Sequence, residues 1–375
     1  MEEHTYDDGY WAFAADALLQ RLDAVAQETA GVRLGQDIEY VHRMRVASRR
    51  LRSALTIFEP CLEAGGLHGF QKPIRRVTKE LGAARDIDVQ LEALTDFINS
   101  DPDKSHRPGI ERLMLRLQQQ RNKMQLRVVA EIDRLLASPV WQDMQRPLRE
   151  LTVRANLRGT RRESKALRHS AARSVTQELE GLLAHEPYIE QPERSEELHQ
   201  MRIAAKKLRY SLEIFAPLYS GALNEPLATA KEVQKILGDI HDCDVWIGSL
   251  PLFVEEERQR TEDYFGHCRQ FGRIASGLDY FRAEKIRERQ KHYEKFVNYW
   301  REVKALGVWE KLHHALTHAH ATAAHATSGH TTAAHRVEKT ETVHSGESHA
   351  ASSGSLSSVG AGKTGEHERS ELGGT

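Results

Sequence analysis

Residues 41–60 read VHRMRVASRRLRSALTIFEP, and residues 198–217 read LHQMRIAAKKLRYSLEIFAP. The two segments align without a gap and share a histidine, a Met-Arg pair, a Leu-Arg pair and a closing proline. A second match follows downstream, where RRVTKELGAARDIDV at 75–89 aligns with KEVQKILGDIHDCDV at 231–245. Internal repetition sets the architecture of a chain before any local prediction is made. It indicates two copies of one unit, repeat one at about residues 8–155 and repeat two at about 156–310.

Each copy has the pattern of a series of helices. Apolar residues recur at helical spacing from Trp11 to Glu28, and long helical patterns close the two copies at Pro108–Ala137 and Leu278–Leu306. No segment shows the alternation of a half-buried strand. Because the connections are short, neighbouring helices should run antiparallel. The sequence therefore predicts an all-α fold of duplicated antiparallel helical bundles.

The middle of each copy contains a Leu-Gly pair followed by two aspartates. We expect the helix that begins near Arg75 to end near Gly82, and its counterpart to end near Gly238. Asp86 and Asp242 would then stand near the start of another helix, where a carboxylate interacts favourably with the helix dipole.

The composition restricts the compartment and the class of protein. The formal net charge is −1, so an anionic partner would have to be recognised by local charge rather than by total charge. Three cysteines without paired spacing, no apolar leader and no long apolar run predict a cytoplasmic protein without a disulfide framework. Residues 313–375 consist mainly of Ala, Thr, Ser, Gly and His, which predicts a disordered tail.

One face of the histidine-bearing helix is positively charged in both copies. On a wheel of ~100° per residue its polar positions fall within ~80° of one another, beside an apolar stripe. These cationic stripes consist of His42, Arg45, Arg49 and Arg52 in repeat one and His199, Arg202, Lys206 and Arg209 in repeat two. The next helix adds Arg75 with Lys79 and Lys231 with Lys235, and the closing helices add Arg116, Lys123, Lys285 and Arg289.

Like charges spaced four residues apart on a helix repel one another, so an anionic partner is the simplest reason for keeping them. Arginine can hold two oxygens of one phosphate, and a neutral histidine can still donate a hydrogen bond. Asp86 and Asp242 lie on the cationic side of their segments, and we expect them to orient an arginine or the histidine rather than contact the ligand.

The pattern H-x-M-R-[VI]-A-x-[RK]-[RK]-L-R-x-x-L-x-x-F, followed by L-G-x-x-x-D-x-D-V, resembles the CHAD domain, the conserved histidine α-helical domain. The resemblance covers roughly residues 8–310 and both halves of the family's duplicated plan. It implies two helical bundles related by pseudo-twofold symmetry, without an accompanying CYTH triphosphatase domain. It also implies binding of inorganic polyphosphate in basic grooves, at polyphosphate granules and alongside granule-associated proteins. The implied contacts are the residues of the cationic stripes together with Arg75, Lys79, Lys231 and Lys235.

Several alternatives remain open at this stage. Non-catalytic binding of polyphosphate, with no cofactor and no membrane partner, is the favoured interpretation. Nucleic acid is a second anionic ligand, although the stripes offer only Tyr210 as an aromatic platform for bases. A histidine-dependent phosphotransferase or phosphatase is a third reading, and metal binding by His241, Asp242 and Cys243 with His267 and Cys268 is a fourth.

Overall fold

A computed structural model describes residues 6–64, 67–101 and 103–317. The described chain is helical and contains no strand. The helices are α1 (Asp8–Leu34), α2 (Ile38–Ile57), α3 (Glu59–Ala64), α4 (Gln71–Ser100), α5 (Arg107–Leu136), α6 (Pro139–Leu157), α7 (Lys165–Leu183), α8 (Ser195–Phe215), α9 (Asn224–Phe265) and α10 (Gly272–Ala305). Residues 308–317 are also helical, and we call them α11. The all-α prediction is confirmed.

The predicted breaks at Gly82 and Gly238 are wrong, since α4 and α9 run through both glycines as continuous helices. Neither glycine adopts the left-handed conformation that ends many helices. The apolar spacing also continues past each glycine, so the burial of the later turns outweighs the low helix propensity of one residue. Asp86 and Asp242 consequently lie in the middle of long helices rather than at a helix start.

Each repeat packs its helices in the same order. In repeat one α1 packs on α2, α2 on α4 and α4 on α5, and in repeat two α7 packs on α8, α8 on α9 and α9 on α10. The two histidine-bearing helices, α2 and α8, also pack against each other. Phe58 and Phe215 meet edge to face at this junction, with ring centroids 6.2 Å apart, inside a core that extends through both repeats.

A second contact between the repeats lies where α5 and α10 begin. A Cβ atom on Gly109 would lie 2.2 Å from the carbonyl oxygen of Ile274, and one on Gly277 would lie 2.2 Å from that of His106. The two contacts are reciprocal, because each glycine meets the carbonyl that lies three residues before the other. Reciprocity of this kind is the mark of a twofold relation, so this contact supports pseudo-twofold symmetry. It also explains the glycines, since any larger residue would push the backbones apart.

The end of the folded region lies later than predicted. The boundary placed at residue 313 falls within α11, whose residues Leu312 and Leu316 are buried against the core. Their apolar spacing of four residues continues the helix past the composition change. The rest of the predicted tail, residues 318–375, lies outside the described residues. Among the described helices, none combines the length and the apolar character that a membrane span needs.

Candidate functional site

The helices α2 and α8 place the cationic stripes between the repeats. Met44 and Leu51 of α2, and Met201 and Leu208 of α8, are buried and fix the rotation of the two helices. Each stripe lies beside its buried apolar stripe, so its members remain partly exposed. Because α2 packs on α8, the two stripes face the same junction. Side chains from both copies of the repeat thus contribute to one candidate site.

Four cations gather at this junction, and we call Arg45, Arg49, Arg202 and Lys206 the junction cluster. Burial lowers the pKa of Arg45 and of Arg202, and the nearby Arg49 guanidinium lowers both further. The effect is largest for Lys206, where burial and the positive charges of Arg49 and Arg202 lower the pKa to about 8. The cluster is therefore a concentration of positive charge at a partly desolvated junction.

Only one member of the junction cluster has a carboxylate within 4.0 Å in the described chain. Arg45 Nη2 lies 3.4 Å from Asp86 Oδ1, and the Asp86 side chain is 68% exposed. Arg49, Arg202 and Lys206 have no ion pair with a described residue. Asp242 lowers the net positive potential at Arg202 from a longer distance. The contact with Arg45 is consistent with the orienting role predicted for Asp86, and the orienting role of Asp242 stays a prediction.

The outer parts of the stripes remain open to solvent. Arg52 lies near Arg75, and desolvation together with the charges of Arg75 and Arg49 lowers its pKa. Arg75 and Lys79 of α4 are exposed and have no ion pair with a described residue, and the same holds for Lys231 and Lys235 of α9 and Lys123 of α5. Arg209 differs, because its Nε donates a hydrogen bond to the Glu213 carboxylate at 2.9 Å.

Three of the four cations predicted on the closing helices are paired with carboxylates, and only Lys123 lacks such a partner in the described chain. Arg116 donates to Glu257 at 2.7 Å, and the Glu257 side chain is 1% exposed. Arg289 donates to Asp244 at 2.5 Å and to the carbonyl of Pro192 at 2.8 Å, and Lys285 donates to Glu288 at 2.6 Å. Arg116 and Arg289 therefore connect neighbouring helices, whereas Lys285 is paired within α10. Glu257 and Asp244 are distant in sequence from their arginine partners, so the helical wheel did not reveal these two pairs.

Each of the two stripe histidines has one buried ring nitrogen without a hydrogen-bond partner in the described chain. These nitrogens are Nδ1 of His42 and Nδ1 of His199. The His199 ring packs on His241 with centroids 4.1 Å apart. Burial and the charge of Arg202 lower the pKa of His199, and burial with Arg202 and His199 lowers that of His241 to about 4. His199 and His241 are therefore neutral near neutral pH.

A cleft of about 330 Å³ opens from the junction, and sequence reasoning missed part of its lining. Its lining includes Arg49 and Arg52 of α2, Lys206 and Tyr210 of α8, and Glu178 of α7. Tyr210 is 7% exposed, and Arg49 and Arg209 approach its ring at 5.9 and 5.7 Å. Glu178 lies on α7, whose residues belong to no repeated charge pattern, so no sequence signal pointed to it. We call this cavity the junction cleft.

The metal alternative finds no support in the described chain. No group of three or more His, Cys, Asp or Glu side chains there is arranged to hold a metal ion. His241, Asp242 and Cys243 follow one another along α9, so their side chains point in different directions around the helix.

The chain is similar to a known protein family and to solved structures. A family model described as "CHAD domain" matches residues 16–251. The crystal structure of the CHAD domain from the plant Ricinus communis is similar, with 25% sequence identity, a TM-score of 0.50, and 72% of this chain and 90% of that chain covered. PptA from Streptomyces chartreusis has 14% identity and a TM-score of 0.48, with 78% of this chain and 99% of that chain covered. No curated protein matches the chain.

Proposed function

Because this chain belongs to the CHAD domain family, we propose that it binds inorganic polyphosphate, without turning it over, at the junction cluster. The observation that carries the proposal is that no carboxylate of the described chain lies within 4.0 Å of the charged groups of Arg49, Arg202 or Lys206. Surface arginines elsewhere in the chain, such as Arg134 and Arg287, have a glutamate one turn away. The contrast supports the proposal that positive charge at the junction is left for a ligand.

The electrostatics of the junction cluster favour a polyanion over a single small anion. The four cations of the junction cluster repel one another, and burial together with this repulsion lowers the pKa of Lys206. A chain of phosphates neutralises several cations at once and releases its own counterions. The arginines can each hold two oxygens of one phosphate group, and the stripe histidines can donate single hydrogen bonds. Exposed Arg75, Lys79, Lys231 and Lys235 extend the positive surface beyond the cleft.

The arrangement supports binding rather than a covalent phosphohistidine mechanism. A histidine nucleophile or general acid is oriented by a second group that hydrogen-bonds its other ring nitrogen. Nδ1 of His42 and Nδ1 of His199 have no such partner among the described residues. We therefore assign both histidines to ligand hydrogen bonding. Replacing both by glutamine and measuring phosphate release tests this assignment, and turnover that depends on the histidines would contradict it.

Nucleic acid fits the site less well than polyphosphate. Proteins that bind single strands combine cations with exposed aromatic rings on which bases stack. Tyr210, the aromatic residue of the cationic stripes, is 7% exposed and is covered by Arg49 and Arg209. The site offers contacts to phosphates and little surface for bases. We propose that the protein is cytoplasmic and that it associates with polyphosphate granules and with the proteins on them.

The test of this function is a binding titration with inorganic polyphosphate of defined length. Arg49→Glu/Lys206→Glu reverses the centre of the junction cluster and should reduce affinity by at least about a hundredfold, since several charge-assisted contacts are lost. Arg273→Glu/Lys291→Glu changes the net charge equally at exposed cations of α10 and should retain most of the affinity. Equal affinity of the two double variants would overturn the proposal. RNA at matched phosphate concentration should compete poorly.

A further inference from the structure

A second cleft, of about 550 Å³, adjoins the junction cleft. The two cavities share Thr56, Ile57 and Glu178 in their linings, so they form a continuous depression. The second cleft continues along α7, and we call it the α7 cleft. It lies outside the cationic stripes, and neither the sequence repeat nor the charge pattern of α2 and α8 predicted it.

The α7 cleft has its own cations. Lys165 and Arg173 line it, are exposed, and have no ion pair with a described residue. They are eight residues apart on one helix, which places them about 12 Å apart along its axis. Two cations at this spacing cannot both contact one phosphate group. They can contact separate groups of an extended anionic chain.

Two tyrosines on the opposite wall add hydrogen-bond donors. Tyr6 and Tyr10 line the α7 cleft, and burial raises the pKa of both hydroxyls although Arg173 acts in the other direction. Both hydroxyls therefore remain protonated at neutral pH. Ser170 Oγ donates a hydrogen bond to Tyr10 Oη at 3.3 Å, so the Tyr10 hydroxyl can in turn act as a donor. Protonated hydroxyls beside unpaired cations suit an oxyanion.

Glu178 lies where the two clefts meet. Its carboxyl is half-buried, and burial raises its pKa despite the nearby positive charge of Lys207. It has no ion pair within 4.0 Å in the described chain. When ionised, it places one negative charge between two cationic surfaces. A polyanion that passes from one cleft to the other must approach this carboxylate.

We propose that the α7 cleft is a second anion-binding site. It binds the segment of a polyphosphate chain that extends beyond the junction cluster, and the Glu178 carboxylate lowers the affinity for a chain that spans both sites. The inference rests on the proposed function and extends it to chain length. Short chains fill the junction cleft alone. Long chains reach Lys165 and Arg173 as well, and gain affinity because the second contact is intramolecular. Selection for long chains would then depend on α7, which carries none of the repeated motif.

The experiment compares tripolyphosphate with a long polyphosphate on the full chain. Lys165→Glu/Arg173→Glu should weaken long-chain binding by about tenfold and leave tripolyphosphate binding unchanged, because only the long chain reaches α7. Glu178→Gln should tighten long-chain binding about two- to threefold through the loss of one repulsive charge. Glu180→Gln, an exposed change on another face of α7, and Arg273→Glu/Lys291→Glu are the matched controls.

The results separate this inference from the function beneath it. If the α7 double variant binds long chains as well as the α10 control does, the α7 cleft is not a binding site. If it loses both ligands equally, its cations act at the junction and the second site is likewise refuted. If Arg49→Glu/Lys206→Glu has no effect on either ligand, the proposed function itself fails. Helical content measured by circular dichroism confirms that each variant is folded.

Discussion

Replacing Lys206 by arginine should remove most of the pH dependence of polyphosphate binding. In the free protein, burial and the charges of Arg49 and Arg202 lower the Lys206 pKa to about 8. A bound polyanion favours the charged amine and raises this pKa again, so binding takes up a proton. Affinity from this contact is complete below the free pKa and declines as pH rises through it. The protonated fraction falls about tenfold between roughly pH 7 and roughly pH 9, which sets the loss expected for the wild type.

The assay is a titration of fluorescent polyphosphate at constant ionic strength across this pH range. Arginine stays charged throughout, so Lys206→Arg should lose less than about twofold in affinity over the same interval. The change also copies the arrangement of repeat one, where Arg49 occupies the matching position. Lys206→Met is the control, because it should bind weakly at every pH and show little dependence. A tenfold loss that persists in Lys206→Arg would refute the electrostatic account of this residue.

Three further predictions concern stability and charge. Arg116→Gln should leave polyphosphate affinity unchanged and lower the free energy of unfolding by about 1–3 kcal/mol, since buried Glu257 loses one partner; chemical denaturation and the binding titration together check this. Phe58→Ala should cost about 3–5 kcal/mol in the same denaturation assay, because it empties the core where the repeats meet. Asp86→Asn keeps a hydrogen-bond acceptor for Arg45 while removing a negative charge, so affinity should rise a few-fold, and a decrease would contradict this.

The fold could be predicted largely because the sequence contains two copies of one helical unit. Spacing of apolar residues specifies α2 and α8, and repetition of the motif indicates two matched bundles. The misplaced ends show where local rules fail. The sequence around Gly82 is typical of a helix end, yet α4 continues through this glycine because the turns on both sides of it are buried. Leu316 belongs to the core although its neighbours in sequence resemble the tail.

The site was only partly predictable, because pairing between distant residues is a tertiary property. The wheel identifies Arg49 and Lys206 as surface cations, and both reach the junction without a described carboxylate partner. The same wheel also identifies Arg116, whose partner Glu257 lies 141 residues away along the chain. Glu178 on α7 enters the junction cleft through packing of α7 on α8, and no motif marks it.

The most direct test of the central claim is the salt dependence of polyphosphate affinity for the wild type and for Arg49→Gln/Lys206→Gln. If the junction cluster binds the chain through its cations, log affinity should fall linearly with log salt concentration, and the double variant should bind more weakly with a slope smaller by about 1–2 units. An unchanged slope together with unchanged affinity would show that the anion binds elsewhere, and the account of the junction cluster would be wrong.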